Sequence, residues 1–189
     1  MGLLLFICSA LGLLCAGACS LWAFVRGKRA TSATIGAVMA AWVLAYAVVL
    51  VAVSVMSREI LLDRGQAKRL CGIYIDCHIG VSVEIARRVG PRYSVTIRVS
   101  SDARRAGLHS GDLTAILVDS GGSRYKKAIP SRALAPGESF IHDVEYIVPG
   151  TVRPRYLLVE GFAGPERILI GDEDSFLHKK VKFRLDSEF

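Results

Sequence analysis

Residues 3–25 read LLLFICSALGLLCAGACSLWAFV and residues 34–56 read TIGAVMAAWVLAYAVVLVAVSVM, and neither stretch contains a charged side chain. At about 1.5 Å per residue, a helix of either length covers the roughly 30 Å hydrocarbon thickness of a bilayer. Only RGKRATSA, residues 26–33, separates the two stretches. Because a helix satisfies its own backbone hydrogen bonds in lipid, we predict a transmembrane helical hairpin.

The charged residues divide the chain near residue 57. Of the 24 basic residues, only Arg26, Lys28 and Arg29 precede Ser57; the other 21 and all 17 acidic residues follow it, which leaves the second part a net charge of +4. We therefore predict a hairpin domain over 1–57, a polar connector over 58–70 and a folded domain over 71–189. No run of Lys and Arg interleaved with aromatic residues is present, so we predict no nucleic-acid partner.

The orientation of the hairpin follows from Arg26, Lys28 and Arg29, because basic residues in a short loop favour the cytoplasmic side. The N-terminus and the large domain are then expected on the extracytoplasmic side. Four basic residues after the second helix point the other way: Arg58, Arg64, Lys68 and Arg69. Long domains translocate largely regardless of charge, however. A cleaved signal peptide ending near Cys19 is disfavoured, because the first stretch is long and lacks a basic start.

Small residues recur every four positions in both predicted helices. They are Cys8, Gly12, Ala16 and Ser20 in the first, and Ala37, Ala41 and Ala45 in the second. Such stripes allow close helix packing, either between these two helices or with a helix of another protein. Neither span contains an ionisable side chain, and this argues against a transporter, a channel or a proton path.

Beyond the connector the pattern changes to alternation. Ile79, Val81, Val83 and Ile85 occupy every second position, as expected for a half-buried strand with these four residues on one face. Further strands are predicted at 93–99, 113–119, 123–127, 140–148, 155–160, 167–170 and 181–185. Many short strands separated by turn residues predict an all-β, antiparallel sandwich.

Four segments carry a resemblance to a known family: LVDSGGSRY (117–125), ALAPGESF (133–140), YIVPG (146–150) and RYLLVEG (155–161). Residues 78–186 resemble the telokin-like, immunoglobulin-fold domains of unknown function found on bacterial membrane proteins and lipoproteins. The resemblance implies an immunoglobulin-like sandwich that acts as an extracytoplasmic binding or spacer module at the bacterial inner (cytoplasmic) membrane. The two-helix N-terminus differs from the single anchor common in that family, so the resemblance implies no particular partner.

Cys71 and Cys77 lie where the folded domain is expected to begin. One straight strand would separate their Cα atoms too widely for a disulfide, so a bond requires a turn, which Gly72 could help to form. In an oxidising compartment we favour this disulfide; a free, buried pair is the alternative. Cys8, Cys15 and Cys19 lie within the first helix and are expected to act as small hydrophobic residues.

No pattern of catalytic or ligand residues stands out. The sequence has no G-x-S-x-G motif and no phosphate-binding glycine loop. His78, His109, His142 and His178 are scattered, and Asp172-Glu173-Asp174 lacks the spacing of a calcium-binding EF-hand loop. We therefore predict no catalytic, cofactor or metal site.

These observations favour a non-catalytic, membrane-anchored structural or interaction protein. We expect it to be an accessory or scaffold subunit of a larger membrane complex, of the respiratory or photosynthetic type for example. Its expected partners are the bilayer and other membrane protein subunits. The alternative is an extracytoplasmic ligand-binding or redox module that uses Cys71, Cys77 and His78.

Overall fold

The computed structural model describes residues 2–70, 78–105, 107–161, 165–171 and 175–185. The chain divides into two units. The helical unit comprises Met1–Arg58 and Arg167–Lys179, and the sheet unit comprises Glu59–Glu166 and Lys180–Phe189. The candidate disulfide Cys71–Cys77 and the acidic run Asp172–Asp174 lie outside the described residues.

The helical unit contains two long helices, α1 (Gly2–Val25) and α2 (Arg29–Met56). Both are long and apolar enough to cross a membrane, as predicted. Between them the chain reverses at Gly27, whose φ of 77° is readily adopted only by glycine. The guanidinium of Arg26 lies over the ring of Trp22, with its carbon 4.4 Å from the ring centroid. Helix α2 begins at Arg29, five residues before the predicted start, because Ala30, Thr31 and Ser32 contain nothing that stops a helix.

The two helices pack along a seam of period seven. On α1 the residues with reduced exposure include Ser9, Leu13, Ala16, Ser20 and Ala23, which follow the alternating three- and four-residue steps of a coiled-coil seam. At one end of the seam the Ser20 hydroxyl donates a hydrogen bond to the Ser32 carbonyl oxygen, at 3.2 Å. Towards the other end the rings of Phe6 and Tyr46 are 6.5 Å apart, so the helices are antiparallel neighbours along their length.

The sheet unit contains two main sheets and one short ribbon. One sheet has the strand order β1-β11-β10-β6-β7, the other has the order β2-β3-β4-β9, and β5 pairs with β8. All pairs are antiparallel except β1–β11. The strands are β1 Leu61–Leu62, β2 Ala67–Leu70, β3 Ile79–Val89, β4 Arg92–Ser101, β5 Leu108–His109, β6 Leu113–Asp119, β7 Arg124–Ile129, β8 Ala133–Leu134, β9 Ser139–Ile147, β10 Pro154–Glu160 and β11 Lys182–Arg184.

A single hydrophobic core joins the two main sheets. The four-stranded sheet contributes Val81, Val95, Ile97, Val99, Phe140 and Val144, and the five-stranded sheet contributes Leu113, Ala115, Leu117, Leu157, Val159 and Phe183. Within β4 and β9 these residues alternate with more exposed ones, which confirms the period-two pattern read from the sequence. Two mainly antiparallel sheets with a shared core are compatible with the predicted sandwich.

The segment 58–70, predicted as a connector, contributes strands β1 and β2 to the two sheets. Lys68 of β2 is buried, and its Nζ donates a hydrogen bond to the Val159 carbonyl oxygen of β10, in the other sheet, at 2.8 Å. Both strands are too short for alternation to reveal them, and a long lysine stem can be buried while its charged head is hydrogen-bonded. The sheet unit therefore begins well before Cys71.

The strand predicted over 167–170 is wrong. Pro165–Ile168 form a 3-10 turn, and the chain then bends to Gly171, whose φ is 81°. The run Arg-Ile-Leu-Ile has no alternation, and a short apolar run does not by itself distinguish a strand from other buried or packed segments.

A β-bulge changes which residues of β3 face the core. The register with β4 shifts between Val83 and Ile85, so Glu84 is an extra residue without its own partner in the ladder. The bulge moves the following residues to opposite faces: Ile85 is exposed, whereas Val81 and Val83 are buried. The expectation that Ile85 shares the core face with Ile79, Val81 and Val83 is therefore wrong.

Candidate interaction surface

The outer face of the four-stranded sheet carries four exposed, large aliphatic side chains: Ile85, Val89, Ile141 and Ile147. We refer to these four residues as the outer patch. Val89 is 71% exposed and Ile147 is 80% exposed, so both present nearly their whole side chains to solvent. Single exposed aliphatic residues are common on proteins, but several on one sheet face indicate a surface that binds another molecule.

Strand register places the four residues of the outer patch on one face, with polar side chains between them. Val89 of β3 and Ile147 of β9 both pair with Arg92 of β4, so the three form one row across the sheet. Ile85 lies two rows further along the same face, opposite Thr96. Because alternate residues of a strand share a face, these rows form one continuous surface.

Charged and polar groups between the aliphatic residues are paired within the sheet. The Glu84 carboxylate accepts hydrogen bonds from Nε of Arg98 and Oγ of Ser82, each at 2.9 Å. The Arg98 bond in particular, with help from Ser82, lowers the pKa of Glu84 below its ordinary value. Asp143 accepts a hydrogen bond from Oγ1 of Thr96 at 2.5 Å. These hydrogen bonds join polar side chains of neighbouring strands beside the outer patch.

Strand β9 borders the outer patch. In the described part of the chain it pairs with β4 on one side and stands at the edge of its sheet on the other. Ile141 and Ile147 lie on this edge strand, on the outer face. An edge strand offers unpaired backbone groups next to apolar side chains, a combination suited to contact with another chain.

Arg88 anchors the end of the sheet on which Val89 and Ile147 lie. Its guanidinium donates hydrogen bonds of 2.8 Å to the carbonyl oxygens of Val152 and Pro149, and longer ones to those of Gly90 and Val148. One side chain thus ties the β3–β4 turn to the loop after β9. A planar guanidinium can serve several acceptors at fixed angles in a way that lysine cannot.

Asp119 closes the predicted hairpin turn between β6 and β7. The polar groups around it are used to stabilise this turn. Its Oδ1 accepts hydrogen bonds from the backbone N–H groups of Gly121 and Ser123, both at 2.8 Å. The hydroxyl of Tyr125 donates to Oδ2 at 3.3 Å. Burial by itself would raise the pKa of Asp119, but the hydrogen bonds from Ser123, Gly121 and Tyr125 outweigh it and lower that pKa.

The structure separates the small residues predicted to pack the helices. Ala16 and Ser20 lie on the seam between α1 and α2, whereas a side chain at Gly12 would meet open space. Ala37, Ala41 and Ala45 are all exposed. Ala45 borders a groove that Leu5 and Ser9 of α1 also line. Arg26, Lys28 and Arg29 lie together at the reversal between the helices, and the membrane orientation inferred from them stays a prediction.

Of the residues in the alternative site, Cys71 and Cys77 lie outside the described part of the chain. Among the described residues there is no group of three or more His, Cys, Asp or Glu side chains that could hold a metal ion. Cys8, Cys15 and Cys19 are free and exposed on α1. A groove of about 290 Å³ beside the hairpin is lined mostly by apolar side chains, including Phe6, Trp42 and Leu50, together with the hydroxyl-bearing side chains of Ser9 and Tyr46.

The sequence reasoning missed the outer patch, although one signal was present. Ile147 and Val148 are consecutive aliphatic residues at the end of a strand, and neighbours in a strand face opposite sides. One of the two therefore has to face outward; Val148 is fully buried and Ile147 is exposed. The exposure of Ile85 had no comparable signal, because it depends on the bulge at Glu84.

Comparison of the chain with protein-family models, with curated proteins and with solved structures finds no match. The resemblance to telokin-like domains therefore stays a prediction.

Proposed function

We propose that this chain is a non-catalytic, membrane-anchored interaction protein, an accessory or scaffold subunit of a larger membrane complex. The observation that carries the proposal is the outer patch: Ile85, Val89, Ile141 and Ile147 are exposed on one face of the four-stranded sheet. In water this exposed apolar area is unfavourable, and a protein partner that covers it would gain the corresponding free energy.

The balanced charge around the outer patch favours a protein partner. The residues near the outer patch include equal numbers of basic and acidic side chains. They are Arg87, Arg92 and Arg98, and Glu84, Asp143 and Glu145. A nucleic acid would require a strongly positive surface. A mixture of aliphatic, arginine and acidic side chains is typical of non-obligate protein interfaces.

Membrane anchorage is supported by the helical unit. Its two helices are long and apolar enough to cross a bilayer, and its basic residues lie together at the reversal. The positive-inside tendency favours a cytoplasmic loop, and therefore a multi-pass protein with its sheet unit on the extracytoplasmic side. The telokin-like resemblance supports an immunoglobulin-like sandwich and the bacterial inner membrane as its location.

The exposed alanines of α2 support a second contact within the membrane. Ala37, Ala41 and Ala45 are exposed, Ala45 at the edge of a groove that α1 also lines, so a helix of another subunit can pack against this face. Small side chains at four-residue spacing let helix backbones approach closely, and close packing stabilises helix association in lipid.

The test compares two charge-altered variants of the whole chain. The double variant Val89→Glu/Ile147→Glu alters the outer patch; the control Arg124→Glu/Lys126→Glu alters exposed residues of β7, in the other sheet. Native membranes are extracted with a mild detergent, and the partners that migrate with each variant are quantified by native electrophoresis and mass spectrometry. We expect the patch variant to lose about tenfold or more of its partner, equivalent to roughly 1.4 kcal/mol, and the control to retain it.

Equal retention by both variants would overturn the role of the outer patch.

The alternative of a ligand-binding or redox module at Cys71, Cys77 and His78 has a separate test. A metal found by elemental analysis of the purified chain, or a Cys71–Cys77 bond that opens and closes under mild redox conditions, would favour that alternative.

A further inference from the structure

The segment Arg167–Lys179 follows β10 in the chain but groups with the two helices instead of the sheets. We call its described residues, 167–171 and 175–179, the hairpin-bound segment. The Arg167 carbonyl oxygen accepts a hydrogen bond from the Phe176 N–H at 2.8 Å, so the two ends of the segment are held close together.

Hydrogen bonds fasten this segment to the second half of α2. The Tyr46 hydroxyl donates to the Ile168 carbonyl oxygen at 2.8 Å, and the hydroxyls of Ser54 and Ser175 are 3.2 Å apart. Further along, the Lys179 N–H donates to Oγ of Ser57 at 2.9 Å. From Tyr46 to Ser57 a helix rises about 16 Å, so the segment follows the helix outward for three turns.

The position of these contacts along the helices indicates how deep the segment lies relative to a membrane that the hairpin spans. Gly2, the first residue of α1, abuts the carbonyl group of Ile170. Helix α1 is about 36 Å long, only slightly more than the hydrocarbon thickness, so its first residue marks the outer boundary of the membrane if the hairpin spans it. Ile168 and Ile170 therefore lie near this boundary, and Ser175 to Lys179 lie at the level of the lipid headgroups.

Apolar side chains at this level are only partly covered by protein. Ile168, Phe176 and Leu177 are all exposed, Phe176 by 60%. Leu177 also has a φ of 65°, the one positive φ among the described residues other than glycine. This conformation is unfavourable for a leucine. An exposed leucine side chain in water would not offset its free-energy cost, whereas insertion of the side chain into an apolar medium would offset it.

The backbone of the segment suits the edge of a bilayer. Polar backbone groups near hydrocarbon need partners, and the Tyr46 hydroxyl supplies one to Ile168. His178 N–H donates to the Ser175 carbonyl oxygen at 3.1 Å, which closes the turn that carries Phe176 and Leu177. Lys179 follows directly, where a long basic side chain can reach the headgroups.

We propose that the hairpin-bound segment inserts Ile168, Phe176 and Leu177 into the outer membrane interface beside the helical hairpin, as a second lipid contact of the chain. This inference depends on the proposed membrane hairpin. The occupant is the glycerol and upper acyl-chain region of the lipids. Between Arg167 and Lys179 the sequence has two basic residues and three acidic ones, so the insertion is apolar and needs no anionic lipid.

The test uses tryptophan fluorescence in the full-length chain reconstituted alone into phosphatidylcholine vesicles. The lipids carry bromine either near the headgroup end of the acyl chains or near their tips, and bromine quenches tryptophan only at short range. One variant, Trp22→Phe, retains Trp42 of α2 as the reporter. A second, Trp22→Phe/Trp42→Phe/Phe176→Trp, reports on the segment. A control carries Val89→Trp in the same tryptophan-free background.

We expect the tryptophan at position 176 to be quenched more strongly by the lipid brominated near its headgroup end, and the control at position 89 to be quenched by neither lipid. Quenching of Trp42 without quenching at position 176 would overturn this inference and leave the membrane hairpin intact. If Trp42 is not quenched either, the proposed membrane hairpin itself fails.

Discussion

Tyr146 is the bulkiest of the fully buried side chains, and its hydroxyl has no hydrogen-bond partner in the described part of the chain. Burial raises its pKa well above the ordinary value of 10.0, so the phenol is neutral throughout the physiological range. A buried hydroxyl without a partner destabilises the fold. We therefore predict that Tyr146→Phe raises the free energy of unfolding by about 1 kcal/mol, measured by urea denaturation of the full-length chain in detergent.

The matched control for this variant is Tyr93→Phe on the neighbouring strand. Tyr93 pairs with Tyr146 in the sheet and is also buried, but it interacts with another group of the chain. We expect Tyr93→Phe to be neutral or destabilising. Destabilisation by Tyr146→Phe would show that the hydroxyl has a partner and would contradict the prediction.

Asp119 gives the β6–β7 turn a predictable pH dependence. Because its pKa in the folded chain lies below 3.8, the ordinary value, its charge stabilises the fold at neutral pH. That contribution is fully present above pH 3.8 and declines as the pH falls below this value towards the folded-state pKa. Asp119→Asn keeps an oxygen acceptor but removes the charge. We expect its melting temperature to be below that of the wild type at neutral pH, with the difference shrinking in acid.

A difference in melting temperature that is constant from neutral to strongly acidic pH would show that the charge of Asp119 is not involved. Glu145→Gln, which changes an exposed carboxylate on an edge strand, controls for the general effect of removing one negative charge.

Individual residues were predictable from the sequence where the local pattern is sufficient. The turn at Asp119–Gly122 follows from residue types that favour turns, and the inward direction of Val95, Ile97 and Val99 follows from alternation. Glu84 was not predictable. Its hydrogen bonds to Ser82 and Arg98 accompany the bulge. Because Arg98 is on another strand, no residue close in sequence indicates that Glu84 is the bulge residue.

At the scale of elements, the helical seam follows a period of seven, whereas the predicted stripes follow a period of four. An α-helix has about 3.6 residues per turn, so a strict four-residue stripe drifts around its surface. That drift explains why Ala16 and Ser20 reach the seam of α1 while Gly12 does not, and the whole alanine stripe of α2 is exposed. The existence of both helices followed from their composition, but their contact faces depended on their partners.

Two leucine substitutions separate the seam from the exposed stripe. Ala16→Leu adds bulk between the helices and should destabilise the hairpin by about 1–3 kcal/mol, seen as a lower thermal midpoint of helical circular dichroism in detergent. Ala41→Leu adds the same bulk on the exposed face, so it should leave that midpoint unchanged and instead reduce the amount of partner that migrates with the chain. Equal effects of the two variants on the midpoint would contradict the assigned seam.

At the scale of the whole molecule, the division into an apolar hairpin and a β-rich domain was predictable, because it depends on composition and period over long stretches. The placement of Arg167–Lys179 with the helices was not. Its contacts join residues more than a hundred positions apart, such as Tyr46 with Ile168, and no local pattern encodes them. Short strands β1 and β2 were missed for a similar reason, since two or four residues are too few to show a period.

The measurement that most directly tests the central claim is the size and composition of the native particle. Native membranes are extracted with a mild detergent, separated by native electrophoresis, and the band that contains this chain is analysed by mass spectrometry. We predict that the chain migrates in one large complex with other membrane subunits at a constant ratio. Migration of the chain alone, close to its own mass of 20.5 kDa plus bound detergent, would contradict the account of a subunit.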